Sequence, residues 1–310
     1  MTTKTELSTL SGVIPPMLTP LTAAGQVDAA GIKRLVNFLI DGGVSGFFVL
    51  GSSGEGPSLT LADRSKVIAE TARAAAGRVP VLAGVLEPST VRTIEAARLA
   101  EEAGADCLVA TSPYYFSTGL EHQVVHFMAI AESTALPVLL YNIPPSTHNP
   151  IGLETVRRLL PVEKVIGIKD SAGDWEHFEA LLALKKTRPS FRVFQGAQPK
   201  AAAAVLAGAD GLVPGLSNLV PGLFTQLVRA GQAGDRAQAL ALQARIDELS
   251  TLHTHGFWLV CLKYAASLLG LDTGAVYGWP APDAQAAGPS PLAEPGRAAI
   301  REIIRPYLPA

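Results

Sequence analysis

The run AARLAEEAGADCLVAT, residues 96–111, decides how the rest of the chain is read. Its first part spaces small and apolar residues among Arg and Glu as an amphipathic helix does. Its last part, Cys107 to Thr111, is a short continuous apolar run of strand type. Between them stands Ala103-Gly104-Ala105-Asp106. A glycine just past a helix supplies the left-handed residue that ends it, so helix passes directly into strand. The same junction recurs as Ala207-Gly208-Ala209-Asp210 and, in a variant form, as Asp41-Gly42-Gly43-Val44. One αβ corner used three times predicts a chain of repeating β-then-α units.

Working outward from these corners, strands are expected at 13–18, 46–50, 79–85, 107–111, 138–141, 165–169, 192–195 and 211–214. Most are unbroken apolar runs, the pattern of parallel strands covered on both faces. The intervening helices carry start signals. Thr60-Leu61-Ala62-Asp63 has the form of a capping box, and Ser89 and Asp174 are good N-cap residues. Eight such units, with nothing to mark a switch in strand order, fit a (β/α)8 TIM barrel better than a doubly wound sheet. Beyond residue 231 the pattern turns helical, at 235–250, 257–269 and 294–307, with a Pro- and Gly-rich connector at 278–295. Residues 1–230 are thus expected to form the barrel and 231–310 a C-terminal helical appendage of the same domain.

Bulk properties narrow the function. The chain has 310 residues, 48% hydrophobic and 17% charged, which suits a large buried core and excludes a disordered chain. A net charge of −2 gives no basic field for nucleic acid or an acidic membrane. No signal-peptide run begins the sequence and no segment is long and apolar enough to span a bilayer. Cys107 and Cys261 lack metal-type spacing and read as reduced thiols, so a cytoplasmic protein is expected. His122 and His126, or His253 and His255, have no further ligand that a zinc site would need. Trp175, Trp258 and Trp279 read as packing residues.

In such a barrel the chemistry sits where strands end at their C-terminal side. Strand two runs into Gly51-Ser52-Ser53-Gly54-Glu55, strand four into Thr111-Ser112-Pro113-Tyr114-Tyr115, strand five into Tyr141-Asn142-Ile143-Pro144-Pro145, and strand six into Lys169-Asp170-Ser171. Lys169 ends the apolar run Val165-Ile166-Gly167-Ile168. Burial disfavours its ammonium form and makes it an amine nucleophile toward a carbonyl. A phenol such as Tyr141 is suited to move protons beside it. Consecutive backbone donors and two hydroxyls in Gly51-Ser52-Ser53-Gly54 suit a carboxylate. Each reading competes with a plainer one: a lysine that snorkels to solvent, a packed tyrosine, an ordinary turn. Their combination favours the chemical one. Glu55 reads most simply as a charge at a helix start. Gly211-Leu212-Val213-Pro214-Gly215 lies where phosphate sites form in barrels, but no Lys or Arg accompanies it.

Gly51-Ser52-Ser53-Gly54-Glu55, Tyr141-Asn142-Ile143-Pro144 and Gly167-Ile168-Lys169-Asp170-Ser171 together resemble the signatures of the dihydrodipicolinate synthase/N-acetylneuraminate lyase superfamily. The resemblance runs from about Gly12 to the C-terminal helices. It implies a class I aldolase or lyase that needs no cofactor or metal. Lys169 would form a Schiff base with pyruvate or another 2-keto acid, and Tyr141 would shuttle protons. Ser52 and Ser53 match the carboxylate-binding pair, with Ser52 also in the relay. Tyr115 matches a tyrosine that reaches a neighbouring subunit's site, which implies a homodimer or homotetramer. Gly196 and Val213 match positions lining the pyruvate pocket. Where dihydrodipicolinate synthases carry an arginine that grips a second carboxylate, this chain has Ser146, and a hydroxyl cannot replace a guanidinium fork. Gly196 is followed by Ala197-Gln198-Pro199, without the acidic residues of sialate lyases. What remains resembles the 2-keto-3-deoxy sugar acid aldolases, with Ser171 placed to bind a substrate hydroxyl. A 4-hydroxy-2-oxoglutarate aldolase, a related dehydratase and a non-catalytic pyruvate-binding regulator are the alternatives.

Overall fold

The computed structural model describes residues 7–277 and 292–308. Eight parallel strands follow one another around a curled sheet: β1 (Gly12–Val13), β2 (Phe47–Val49), β3 (Val81–Gly84), β4 (Cys107–Thr111), β5 (Val138–Asn142), β6 (Val165–Asp170), β7 (Arg192–Gln195) and β8 (Gly211–Leu212). β1 pairs with β8, and a bridge between Pro16 and Phe48 joins the first strand segment to β2, so the sheet closes into a barrel. The first strand is shorter than the expected 13–18 because Pro15 and Pro16 bring no N–H to the ladder. The main chain nevertheless continues to serve β2: Phe48 N donates to Pro15 O and Met17 N to Phe48 O, each at 2.9 Å.

The helices between strands are α1 (Ala29–Asp41), α2 (Leu61–Ala75), α3 (Thr90–Glu102), α4 (Leu120–Ser133), the single turn α5 (Pro144–Thr147), α6 (Leu153–Leu159), α7 (Trp175–Ala183), α8 (Ala201–Leu206) and α9 (Pro221–Gln232). The three corners turn as their glycines require, with φ of 80° at Gly43, 93° at Gly104 and 95° at Gly208. Two of them do more. Asp106 and Asp210 each accept a backbone hydrogen bond from the neighbouring strand, from Val81 N at 3.0 Å and Val193 N at 2.8 Å. Ser89 and Asp174 cap α3 and α7. Thr60 caps α2 by accepting from Asp63 N, but the Asp63 carboxylate accepts the hydroxyls of Thr60 and Tyr277 instead of returning a bond to the Thr60 backbone.

Two cores result. Leu10, Ile14, Phe48, Leu82, Val109, Leu139, Ile166 and Phe194 fill the barrel interior, and a larger apolar layer joins the strands' outer faces to the helices. Burying even one Leu or Phe stabilises by about 1.5–3 kcal/mol, so the double layer supplies the bulk of the fold's stability. The appendage consists of α10 (Arg236–Ser250), α11 (Trp258–Leu268) and α12 (Glu294–Ile304). Leu242, Ile246, Leu259 and Ile300 join the outer core. Trp279 and most of the 278–295 connector lie outside the described residues. Among the described residues no helix is long and apolar enough to cross a membrane.

Candidate active site

A register shift places the lysine. In β5, Leu139 and Tyr141 both belong to the interior, as period-two alternation demands. In β6, Ile166 faces inward and Val165 and Ile168 face outward, which regular alternation does not allow. The pairing explains it: Val138 is opposite Val165, but Leu139 is opposite Gly167, so Ile166 is an extra residue on β6. Such a bulge reverses the parity of everything after it. Lys169, which would otherwise share the outward side of Val165, turns inward directly opposite Tyr141. Only glycine fits at position 167, where a Cβ would strike the Arg192 carbonyl on β7.

Lys169 is 3% exposed, and its Nζ lies 3.9 Å from the centroid of the Tyr141 ring and 4.9 Å from that of Phe48. Phe48 in turn meets Tyr141 edge-on, with ring centroids 5.6 Å apart. Burial pushes the Lys169 ammonium below the ordinary lysine range, against the opposing effect of the Tyr141 phenol. That shift moves the amine toward its neutral, nucleophilic form. Gly196 makes room for the stem: a Cβ there would stand 2.9 Å from Lys169 Cε and collide with the Ser171 hydroxyl. Behind the lysine, Asn142 Nδ2 donates to Asp170 Oδ1 at 2.6 Å and Ile151 N donates to Asn142 Oδ1 at 2.9 Å, tying the ends of β5 and β6 together. Burial raises the Asp170 carboxyl, which the Asn142 amide partly offsets.

Lys169 opens into a cavity of about 300 Å³ at the C-terminal end of the barrel. Ser52, Ser53, Tyr141, Ser171, Gly196 and Val213 all line it, so six of the residues singled out in the sequence converge with the lysine. Gly51 lies just behind; its N-terminal neighbours form the strand, and a side chain there would strike Phe48. Ser146 is not in this cavity. It lines an adjoining chamber of about 340 Å³ with Thr111, Tyr114 and Thr147, and the two spaces share Ser52, Ile143 and Trp258 as walls. Tyr115 lines neither space of its own chain; it is 76% exposed and meets the ring of Phe116, itself 74% exposed.

Three residues of the site were not readable as such. Glu55 is no exposed helix-start charge. It is buried at a left-handed turn (φ 59°), where its carboxylate pairs with Lys263 on α11 at 2.5 Å and accepts from Tyr277 N. Burial pulls the Lys263 ammonium down, and the Glu55 charge opposes the pull. The pair locks α11 onto the barrel mouth. His253 and Trp258, on either side of the turn into α11, line the lysine cavity. Burial holds the His253 imidazolium below its ordinary range. No local pattern announces these roles, because tertiary packing of the appendage creates them. His126, by contrast, serves the scaffold: its Nε2 donates to Thr111 O at 3.0 Å and its Nδ1 meets Thr90 Oγ1 at 2.9 Å.

The profile of the dihydrodipicolinate synthetase family matches residues 9–286. A probable 2-dehydro-3-deoxy-D-pentonate aldolase, YjhH, from Escherichia coli strain K12 is 36% identical over 84% of this chain and 88% of its own. A 4-hydroxy-tetrahydrodipicolinate synthase from Gluconacetobacter diazotrophicus is 33% identical over 96% of this chain and 97% of its own. Among solved structures, YagE, an E. coli K12 prophage protein of the dihydrodipicolinic acid synthase family solved with pyruvate, superposes with a TM-score of 0.87 at 30% identity. It covers 96% of this chain and 98% of that one. Sequence profile, relatives and fold agree with the strand-end geometry, and the chain belongs to the dihydrodipicolinate synthetase family of class I aldolases and lyases.

Proposed function

We propose that this enzyme reversibly cleaves a 2-keto-3-deoxy sugar acid to pyruvate and an aldehyde. The observation that carries the reading is the sealed Lys169 amine facing Tyr141 across paired strands, with Ser52 and Ser53 on the same cavity. The neutral amine adds to the C2 ketone of the acid, giving a carbinolamine. Loss of water, with Tyr141 carrying the proton, leaves an iminium conjugated to the carboxylate held by Ser52 and Ser53. The iminium draws the electrons of the C3–C4 bond as the C4 hydroxyl gives up its proton to the relay of Tyr141 and Ser52. Aldehyde departs, and the remaining enamine takes a proton at C3. Water then releases pyruvate and restores the lysine.

The relative named a probable 2-dehydro-3-deoxy-D-pentonate aldolase supports a sugar acid substrate, and Ser146 in the place of a cation disfavours the lysine-biosynthetic reaction. Residues 1–230 and 231–310 act as one domain in this reading, because both contribute to the cavity. Tyr115 is assigned to a neighbouring subunit's site in a homodimer or homotetramer, consistent with its exposure. A cytoplasmic setting follows from the substrate class.

Borohydride reduction in the presence of pyruvate tests the reading. The wild-type protein should gain the mass of a reduced pyruvate adduct on Lys169, and Lys169→Ala should gain none. No adduct on the wild type would remove the Schiff-base reading.

A further inference from the structure

We propose that Asn149 is a positioning residue for the reaction: it holds residues 113–118 so that Tyr115 is presented to the site of a neighbouring copy of this chain. This rests on the aldolase reading above and its assignment of Tyr115, and adds the residue through which that assignment is achieved.

Residues 113–118 lie between β4 and α4 and belong to no strand or helix. Among the described residues they take part in no backbone–backbone hydrogen bond. One side chain supplies what the main chain lacks. Asn149 Nδ2 donates to Pro113 O at 2.7 Å and to Phe116 O at 2.8 Å, and Thr118 N donates to Asn149 Oδ1 at 2.9 Å. Both amide hydrogens and the amide oxygen are used, and the pattern fixes which end of the amide is which. The two carbonyls bracket Tyr114, Tyr115 and Phe116, so the chain is pinned on either side of them. The hub is itself fixed. Asn149 is buried, and its own carbonyl accepts from the Ser112 hydroxyl at 2.5 Å and the Thr147 hydroxyl at 3.3 Å.

What the pinned segment displays is unlike its anchor. Tyr115 and Phe116 are both exposed and meet edge-on, with ring centroids 4.9 Å apart. Tyr114 lines the adjoining chamber of its own chain, whereas Tyr115 lines neither space there. Adjacent exposed aromatic rings mark a surface that meets a partner. A segment already held in place loses little freedom when it docks. A phenol serves a Schiff-base site only when its hydroxyl comes within hydrogen-bond reach, and the main chain on either side of Tyr115 sets that reach. A second copy of this chain is the partner the reaction calls for, because its cavity holds the imine that the phenol would serve.

Deuterium uptake into the pyruvate methyl group in heavy water reads the enamine step without any aldehyde. In the full-length enzyme Asn149→Leu should slow it about a hundredfold, the scale of a misplaced group. Tyr115→Phe should slow it comparably, and the double variant should be no slower than Tyr115→Phe, since the asparagine acts only through the tyrosine. A merely structural defect would multiply with the effect of the tyrosine instead. Co-expression shows whose site is served. Asn149→Leu subunits keep Lys169, and Lys169→Ala subunits keep a well-placed Tyr115, so mixed assemblies should exchange faster than the two variants do in sum. If Asn149→Leu does not fold, Asn149→Asp, which keeps the Thr118 bond and loses both donors, replaces it in every comparison. A variant exchanging as fast as wild type, multiplying effects in the double variant, or no gain on mixing overturns the proposal. Pyruvate trapping on wild-type Lys169 separates the cases: any of those results with an adduct removes this inference alone, while no adduct removes the aldolase reading and this with it.

Discussion

The two walls of the Lys169 cavity come from different parts of the chain and were built by different means. The barrel wall is made of strand ends: Tyr141 on β5, Lys169 on β6, and Ser52 and Ser53 after β2. His253 and Trp258, carried by the helical appendage, complete the lining. Strand register fixes the first to within the tolerance of a hydrogen-bonded ladder. The second depends on one turn and on the helix α11, held to the barrel by the buried Glu55–Lys263 pair and by apolar residues such as Leu259 and Leu262. The residues proposed above for imine formation sit on the strand-end wall, and His253 and Trp258 reach the lining through packing of the appendage.

The largest effect should come from breaking the rigid wall at its least conspicuous residue. Gly167→Ala puts a methyl group against the Arg192 carbonyl, where β6 must bulge to bring Lys169 inward. The strand can relieve the clash by giving up the bulge, and loss of the extra residue returns Lys169 to the outward parity of Val165. Imine trapping should then fall at least about a hundredfold, the scale of a misplaced catalytic group. Far-ultraviolet circular dichroism would keep its wild-type shape. Wild-type trapping by this variant would show that the bulge does not aim the lysine.

The hinge between the walls should give the next effect. Lys263→Met removes one partner of a pair whose members are 2–3% exposed, leaving Glu55 charged and buried. Breaking such a pair costs about 3–5 kcal/mol, whereas replacing both members is far milder. Urea denaturation should show that loss for Lys263→Met and recovery of much of it in Glu55→Gln/Lys263→Met. If the single variant is as stable as wild type, the pair does not hold α11 to the barrel.

How far each wall was legible follows from what local sequence encodes. The corners at Gly43, Gly104 and Gly208 announce themselves because a left-handed residue after a helix has few other solutions, and they carry the barrel with them. Tyr141, Lys169, Ser52 and Ser53 were legible because strand ends in a barrel share one face. The bulge was hidden, since Val165-Ile166-Gly167-Ile168 reads as an unbroken apolar run whether or not its parity reverses. Glu55 was misread because its partner is 208 positions away. His253 and Trp258 resembled ordinary surface and packing residues, as their meaning arises only when α11 docks. Ser146 and Ser171, read from two different motifs, line two different chambers, which only geometry separates.

A smaller effect, confined to the barrel side, concerns pH. His126 is 1% exposed and bridges Thr90 at the start of α3 to the Thr111 carbonyl at the end of β4. Burial lowers its pKa from 6.5 to about 4, against the hydrogen bond to Thr111, which favours the charged ring. The unfolded chain therefore binds more protons between those values. This contribution to stability is complete above about pH 6.5 and is lost as pH falls toward about 4, below which it stays constant. Its full size is on the order of 3 kcal/mol, from the shift of the one group. Carboxylates titrate in the same window, so a difference isolates the histidine: wild type should lose stability more steeply than His126→Gln between those limits. Below about pH 4 the two curves should run parallel, their separation changed by the full contribution of the ring. Parallel curves across the window would mean that the ring accepts its proton in place, and that the strand-end wall tolerates a charge beneath it.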